Sequence, residues 1–254
     1  MSRQWVLIRG IMSEAYHWWE FLPQLQAQFP KDEFHTADIL GNGRLHASRT
    51  PLSIKKNVEA LRNQAPDSGK KILVGFSLGG MLALEWAKLY REEVEAVVLI
   101  NASLNNSPFY KRITPYSISC IVKSALQKDH RKREENIIRM TTSNISDETR
   151  IEVAKLWGAR SLQYPVNPFN FFWQIGLASQ IKQPAQPPTA TLILSSSKDR
   201  VVHPDCSRLI ANRWNLPLES HPDAGHDLTL EDPQWVLEKV RHFLNSGILN
   251  DDSN

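Results

Sequence analysis

Three residue types that serve nucleophilic acyl chemistry stand in settings that suit them: Ser77, Asp199 and His226. Ser77 lies in Gly75-Phe76-Ser77-Leu78-Gly79, a G-x-S-x-G pattern between the apolar run Ile72-Leu73-Val74 and a helical pattern. A serine in such a sharp turn projects its hydroxyl away from the backbone, and the glycines let neighbouring segments approach without Cβ clashes. The helix beginning at Gly79-Gly80-Met81 would turn its amino-terminal dipole to the reaction centre, and the Leu78 N–H would stabilise charge growing on an acyl oxygen. A serine hydroxyl is a poor nucleophile until a base takes its proton, and that base must be held in one tautomer. Asp199 follows Leu192-Ile193-Leu194-Ser195-Ser196-Ser197, and His226 follows Asp223-Ala224-Gly225 ahead of the last helical pattern, so both fall in loops at strand ends. Asp205 and Asp223 are alternative orienting acids, and Asn101, closing a buried run, either lines a pocket or satisfies a carbonyl.

The elements that must position these groups are readable from apolar patterning. Trp5-Val6-Leu7-Ile8, Phe34 to Ile39, Ile72 to Phe76, Val94 to Ile100 and Thr189 to Leu194 read as strands, with a weaker strand around Trp214 to Leu218. Runs such as Ile72-Leu73-Val74 lack polar alternation, which is the mark of strands covered on both faces, as in a parallel sheet. Helical spacing recurs at Ile54, Val58 and Leu61 after Pro51, at Leu82, Trp86 and Leu89, and at Val236, Val240, Phe243 and Leu244 after Pro233. Strands alternating with helices predict an α/β domain. From about Ser107 to Ala185 the rhythm breaks: helical patterns span Ile118 to Leu126 and Thr149 to Leu162, and no core strand is evident. The chain therefore divides into a core over 1–106 and 186–250 and a mostly helical insertion over 107–185 folded over one end of the sheet, because a structureless connection of that length is improbable. Asp251-Asp252-Ser253-Asn254 reads as a polar tail.

On Gly75-Phe76-Ser77-Leu78-Gly79-Gly80, Ser197-Lys198-Asp199-Arg200-Val201-Val202 and Ala224-Gly225-His226, the chain resembles the α/β-hydrolase superfamily, especially compact serine hydrolases with a helical cap. The order serine, aspartate, histidine is that of the superfamily. The resemblance implies a mostly parallel central sheet, a covalent acyl-enzyme cycle, and a second oxyanion donor from the loop Arg9-Gly10-Ile11-Met12: the Ile11 N–H, with Met12 as the lesser choice. The family often has histidine before this glycine. Arg9 leaves the backbone donor intact but changes how the loop packs, by pairing with a nearby acid or by attracting a substrate carboxylate.

The first substrate class implied is a small, partly apolar carboxylic ester. Thioesters, amides or peptides, carbon–carbon bond hydrolysis, acyl transfer, and a non-catalytic ligand-binding role are the alternatives. Trp18, Phe109, Tyr110, Phe169, Phe172 and Trp173 are candidate pocket residues, with simple cap-to-core packing as the competing role. Serine at the nucleophile position argues against haloalkane dehalogenation, for which relatives generally use aspartate.

Lysine plus arginine number 30 against 27 aspartate plus glutamate, and a net charge of +3 is too slight to call for a nucleic acid. The basic stretch Lys123 to Arg133 reads as a solvated helix face. Two cysteines, Cys120 and Cys206, show no metal-ligand spacing. His221, Asp223 and His226 are weak as a metal set beside the acyl-transfer role of His226, and Gly41-Asn42-Gly43 lacks the rest of a dinucleotide loop, so neither metal nor cofactor is expected. A strand already within Met1 to Gly10, and no apolar run near the roughly 20 residues of a membrane span, lead to the expectation of a cytoplasmic protein without integral membrane association.

Overall fold

The structure is a computed structural model describing residues 2–67 and 69–246. The tail at 251–254 and the last residues of the expected core segment lie outside the described residues. Six strands form one sheet in the order β2-β1-β3-β4-β5-β6: β1 (Gln4–Ile8), β2 (Glu33–Ala37), β3 (Lys71–Phe76), β4 (Val94–Ile100), β5 (Ala190–Ser196) and β6 (Leu218–His221). All five pairings are parallel. The period of two sorts each strand's side chains onto opposite faces. Val6, Ile8, Leu73, Val97, Leu99 and Ile193 face one core with α2 (Ile54–Arg62), α3 (Leu78–Leu89) and α9 (Asp205–Trp214). Trp5, Leu7, Ile72, Val74, Val98 and Leu194 face the other, with α1 (Phe21–Gln28) and α11 (Pro233–Asn245). Two buried faces are why the central strands carry no polar alternation.

Between β4 and β5 the chain forms α4 (Phe109–Arg112), α5 (Pro115–Ala125), α6 (His130–Thr141), α7 (Asp147–Gln163) and α8 (Phe169–Gln180). The side chains of Thr114, Asp129 and Ser146 cap the amino-terminal ends of α5, α6 and α7. Ile138 of α6 and Val153, Ala154 and Trp157 of α7 make a small separate apolar cluster.

Two strand boundaries differ from the patterning. The strand predicted around Trp214 to Leu218 begins only at Leu218. α9 continues through Trp214, whose indole N–H donates to the Pro184 carbonyl at 2.9 Å, and Asn215 ends the helix in the left-handed conformation at φ 51°. β2 stops at Ala37 because Asp38 leaves the ladder: its carboxylate accepts the Ala15 N–H at 2.7 Å and the Arg44 N–H at 3.1 Å.

The turn between β3 and α3 depends on a close approach of backbone to backbone at Gly79. A Cβ on Gly79 would run into the Ile8 carbonyl and lie 2.6 Å from the Arg9 carbonyl oxygen, both backbone atoms at the end of β1. Gly176 in α8 faces only the movable Leu52 side chain. Gly79→Ala is accordingly expected to cost on the order of 3 kcal/mol or more in urea unfolding, and Gly176→Ala less than about 1 kcal/mol. Equal stability of the two variants would contradict this account of the turn.

Candidate active site

The carboxyl ends of β1, β3, β5 and β6 bring four loops together, as a parallel sheet does at one edge. Ser77 sits at the tip of the β3–α3 turn with φ 54° and ψ −120°, half-buried, its backbone held by Ser77 N–H to Ile100 O at 2.8 Å and by Gly80 N–H to Ser77 O at 3.0 Å. Gly10 passes directly beside it: a Cβ there would lie 3.0 Å from the Ser77 Cβ.

Asp199, just past β5, is buried, and both of its oxygens are engaged. Oδ2 meets Nδ1 of His226 at 2.7 Å, while Oδ1 accepts the N–H groups of Val201 at 2.7 Å and Val202 at 2.9 Å. The two alternative acids are occupied elsewhere, Asp205 by Lys111 and Arg208 and Asp223 by Lys198. His226 is buried, and its ring lies 4.7 Å from that of Phe76, the residue before Ser77. Asn101 fastens this turn from below: its Nδ2 donates to the His226 carbonyl at 2.7 Å and to Ser196 Oγ at 2.9 Å, and its Oδ1 accepts the Ser196 N–H at 2.9 Å. Asn101 thus satisfies a carbonyl, one of its two sequence readings. The Ser77 hydroxyl makes no hydrogen bond to His226 among the described residues, and His226 Nε2 is likewise without a protein partner there.

The N–H groups of Ile11 and Leu78 meet no acceptor among the described residues. Met12 differs: its N–H donates to Oε1 of Gln174 in α8 at 2.8 Å. Gln174 is fully buried and its amide nitrogen donates to Asn42 Oδ1 at 2.8 Å and Thr50 Oγ1 at 3.2 Å. Asn42 Nδ2 in turn donates to the Ser13 carbonyl at 2.9 Å. This buried amide chain joins α8 to the loop after β1. Nothing in the sequence marked Gln174 or Asn42, since a buried amide and an exposed one look alike in one chain.

Arg9 points inward. Its guanidinium makes a two-pronged pair with Asp227 at 2.5 and 3.2 Å, donates to Thr229 Oγ1 at 3.1 Å, and lies 4.3 Å from the Phe76 ring centroid and 5.0 Å from that of Trp18. Burial pushes the Asp227 carboxyl up, but the Arg9 charge and the Arg9 and Thr229 hydrogen bonds outweigh it and hold it below its ordinary value. Asp227 was missed in the sequence because its partner is 218 residues away. His17 lies beside this group, its Nδ1 accepting the Glu14 N–H at 3.3 Å and standing 2.8 Å from Ser13 Oγ, with the Trp157 ring 4.3 Å from its own. Burial first, then the Arg9 charge, lowers its pKa to about 3, so the ring is neutral near pH 7.

Of the aromatic pocket candidates, Trp18 is buried beside Phe21 at 5.5 Å, Trp173 packs on Arg49 at 3.7 Å, and Phe109, Tyr110, Phe169 and Phe172 are exposed. Among the described residues no group of three or more His, Cys, Asp or Glu side chains is placed to hold a metal ion, and no helix is long and apolar enough to cross a membrane.

Breaking the Arg9–Asp227 pair from one side leaves a buried charge alone. Arg9→Met is expected to cost about 3–5 kcal/mol, and Arg9→Met with Asp227→Leu to recover most of it, as read by urea unfolding. A double variant no more stable than the single one would show that the pair is not what Arg9 contributes. His17 sets a second expectation. The unfolded ring takes a proton below about pH 6.5 and the folded ring resists until about 3, so stability is full above that window and falls as the pH drops through it. A loss on the order of 1–2 kcal/mol between pH 7.5 and 5 is expected, and His17→Gln should flatten that slope.

The sequence model described as the alpha/beta hydrolase family matches residues 5–239. The alpha/beta hydrolase domain-containing protein VTE7 of Arabidopsis thaliana is 26% identical over 185 residues, which are 70% of this chain and 54% of that protein, so the chain spans about half the length of this curated relative. Among solved structures, 2-hydroxy-6-oxo-6-phenylhexa-2,4-dienoate hydrolase from Rhodococcus sp. strain RHA1 superposes with a TM-score of 0.73 at 18% identity, covering 96% of this chain and 90% of that one. A thermophilic esterase from Thermogutta terrifontis gives 0.67 at 20% identity, covering 96% and 90%. With the family match running from β1 into α11 and the parallel sheet bearing helices inserted after β4, the chain belongs to the alpha/beta hydrolase family.

Proposed function

We propose that this hydrolase-family chain cleaves a small, partly apolar carboxylic ester through a covalent acyl-enzyme on Ser77. The observation that carries the reading is the buried 2.7 Å bond between Asp199 and His226 Nδ1, which fixes the tautomer and leaves Nε2 without a protein partner. A base held in this way is what a serine hydroxyl needs. Ser77 attacks the acyl carbon as Nε2 takes its proton. The Leu78 and Ile11 N–H groups, neither with an acceptor of its own, hold the oxyanion. His226 then protonates the leaving group, and water activated by the same ring releases the acid. The missing contact between Ser77 and His226 is one that substrate is expected to bring within reach, since such bonds tighten in the substrate complex.

In the same reading, 1–106 and 186–250 form the catalytic core and 107–185 the cap. The exposed rings of Phe109, Tyr110, Phe169 and Phe172 offer the cap's apolar area to an acyl or alcohol group. An esterase and a 2-hydroxy-6-oxo-6-phenylhexa-2,4-dienoate hydrolase among the similar folds are in keeping with hydrolysis, and the ester is favoured as the simplest substrate for a serine-centred acyl cycle.

Labelling with a fluorophosphonate, and turnover of a matched panel of esters, thioesters and amides, test the proposal. Wild-type protein should label at Ser77, and Ser77→Ala or His226→Ala should each lower kcat by about 10³-fold or more. Full turnover retained by a clean Ser77→Ala preparation would exclude the nucleophile.

A further inference from the structure

The loops bearing Asp199 and His226 are fastened to one segment of the cap, the end of α6 and the turn that follows it. From the Asp199 side, Arg200 Nη2 donates to the carbonyls of Arg139 at 2.9 Å and Thr142 at 3.0 Å, and Lys198 O accepts from Ser143 Oγ at 3.3 Å. From the His226 side, the Asp227 N–H donates to Thr141 O at 2.8 Å. Glu231, the last residue of α10 (Leu228–Glu231), joins both sides. Its Oε1 accepts the Gly225 N–H at 2.6 Å, and its Oε2 accepts the N–H groups of Asn144 at 2.7 Å and Ser143 at 3.0 Å.

This junction leaves the histidine turn no slack. A Cβ on Gly225 would lie 2.9 Å from each of Glu231 Oε1, Ser143 Oγ and Thr141 O. Leu230, next to Glu231, packs against the cap cluster of Ile138, Val153, Ala154 and Trp157. Burial pushes the Glu231 carboxyl up, against the three N–H groups that favour its charged form. A carboxylate with three backbone donors from two segments has little freedom, and each donor is charge-assisted.

We infer that Glu231 is a positioning residue for His226, holding the turn before the histidine against residues 141–144 so that the cap fixes where the imidazole sits. The inference rests on the serine-hydrolase reading above, in which a small displacement of the base costs turnover rather than binding. Glu231→Ala removes the three bonds that Glu231 accepts and leaves those of Arg200, Lys198 and Asp227 in place. Glu231→Gln keeps its size but supplies only one acceptor oxygen, so either Gly225 or the 143–144 pair loses its acceptor.

Ester turnover and amide hydrogen exchange on the full chain test the inference together. Glu231→Ala should exchange faster than the wild type at Gly225, Ser143 and Asn144, and Glu231→Gln either at Gly225 or at Ser143 and Asn144. kcat should fall about 10–100-fold for Glu231→Ala, and less for Glu231→Gln, with KM within about twofold. Should Glu231→Ala fail to fold, Glu231→Gln carries the test. Faster exchange with unchanged kcat would overturn the inference, leaving Glu231 as a tether of the cap alone, and so would unchanged exchange. A wild-type protein that neither labels nor turns over any ester would bring down the hydrolase reading and the positioning role with it, even where exchange reveals the junction.

Discussion

The backbone of Ser77, at φ 54°, lies where a non-glycine residue costs about 1–3 kcal/mol and persists only when its surroundings leave no alternative. Those surroundings are explicit here. Ser77 N–H is taken by Ile100, Ser77 O accepts from Gly80 and Met81, and a side chain on Gly75 or Gly79 would collide with backbone. The turn is thereby pressed against the ends of β1 and β4 at once. α3 enters the core over almost its whole length, with Leu78 through Ala87 buried, beneath the central strands β1, β3 and β4. The strained residue and the close backbone approaches at Gly75 and Gly79 are one feature, since only a rigid frame holds such a conformation.

Around that frame, Arg9 does what an apolar contact could not. Arg9 itself precedes Gly10, and its guanidinium meets two residues adjoining other parts of the candidate site: Phe76, which precedes Ser77, and Asp227, which follows His226. Buried ion pairs contribute little net stability compared with apolar replacements, yet they specify one geometry, because the alternative is an unpaired charge. The neutral His17 beside Arg9 fits this arrangement: a second cation there would compete for Asp227, and burial keeps the ring uncharged.

The apolar runs and the glycine-flanked serine made the strands, α3 and the turn at Ser77 legible in the sequence, because periodicity and close approach leave local marks. Asp199 and His226 were legible as candidates by their places after Leu194 and Gly225, and the structure joins those two by a hydrogen bond while leaving Ser77 apart from His226. What escaped was decided by partners distant in the chain. Arg9 stood out as a departure but Asp227 did not. Trp214 reads as strand beside Leu216 and Leu218, because the local pattern does not reveal that its indole N–H is claimed by Pro184. Gln174, Asn170 and Glu231 were silent, as polar residues that become buried or clasped only when the cap folds down.

The two parts of the molecule are consequently held by different physics. The sheet and its helices are fixed by continuous apolar burial on both faces, which is non-directional and tolerant of exchange among side chains of similar size. Where the cap meets the loops of the candidate site, directional bonds are concentrated: Gln174 to Met12 and Asn42, Asn170 to Thr50 and Ser48, Arg200 to Thr142, Glu231 to Gly225 and Asn144. Each such bond contributes only about 1 kcal/mol net, but a misplaced one leaves a buried amide or carboxylate unpaired at a greater cost. The contact is therefore selective for one placement of the cap without being strong for its area. Cap sequence can change widely at exposed positions such as Leu126 and Leu162 while the few polar joints keep its seating over the loops after β1, β2, β5 and β6.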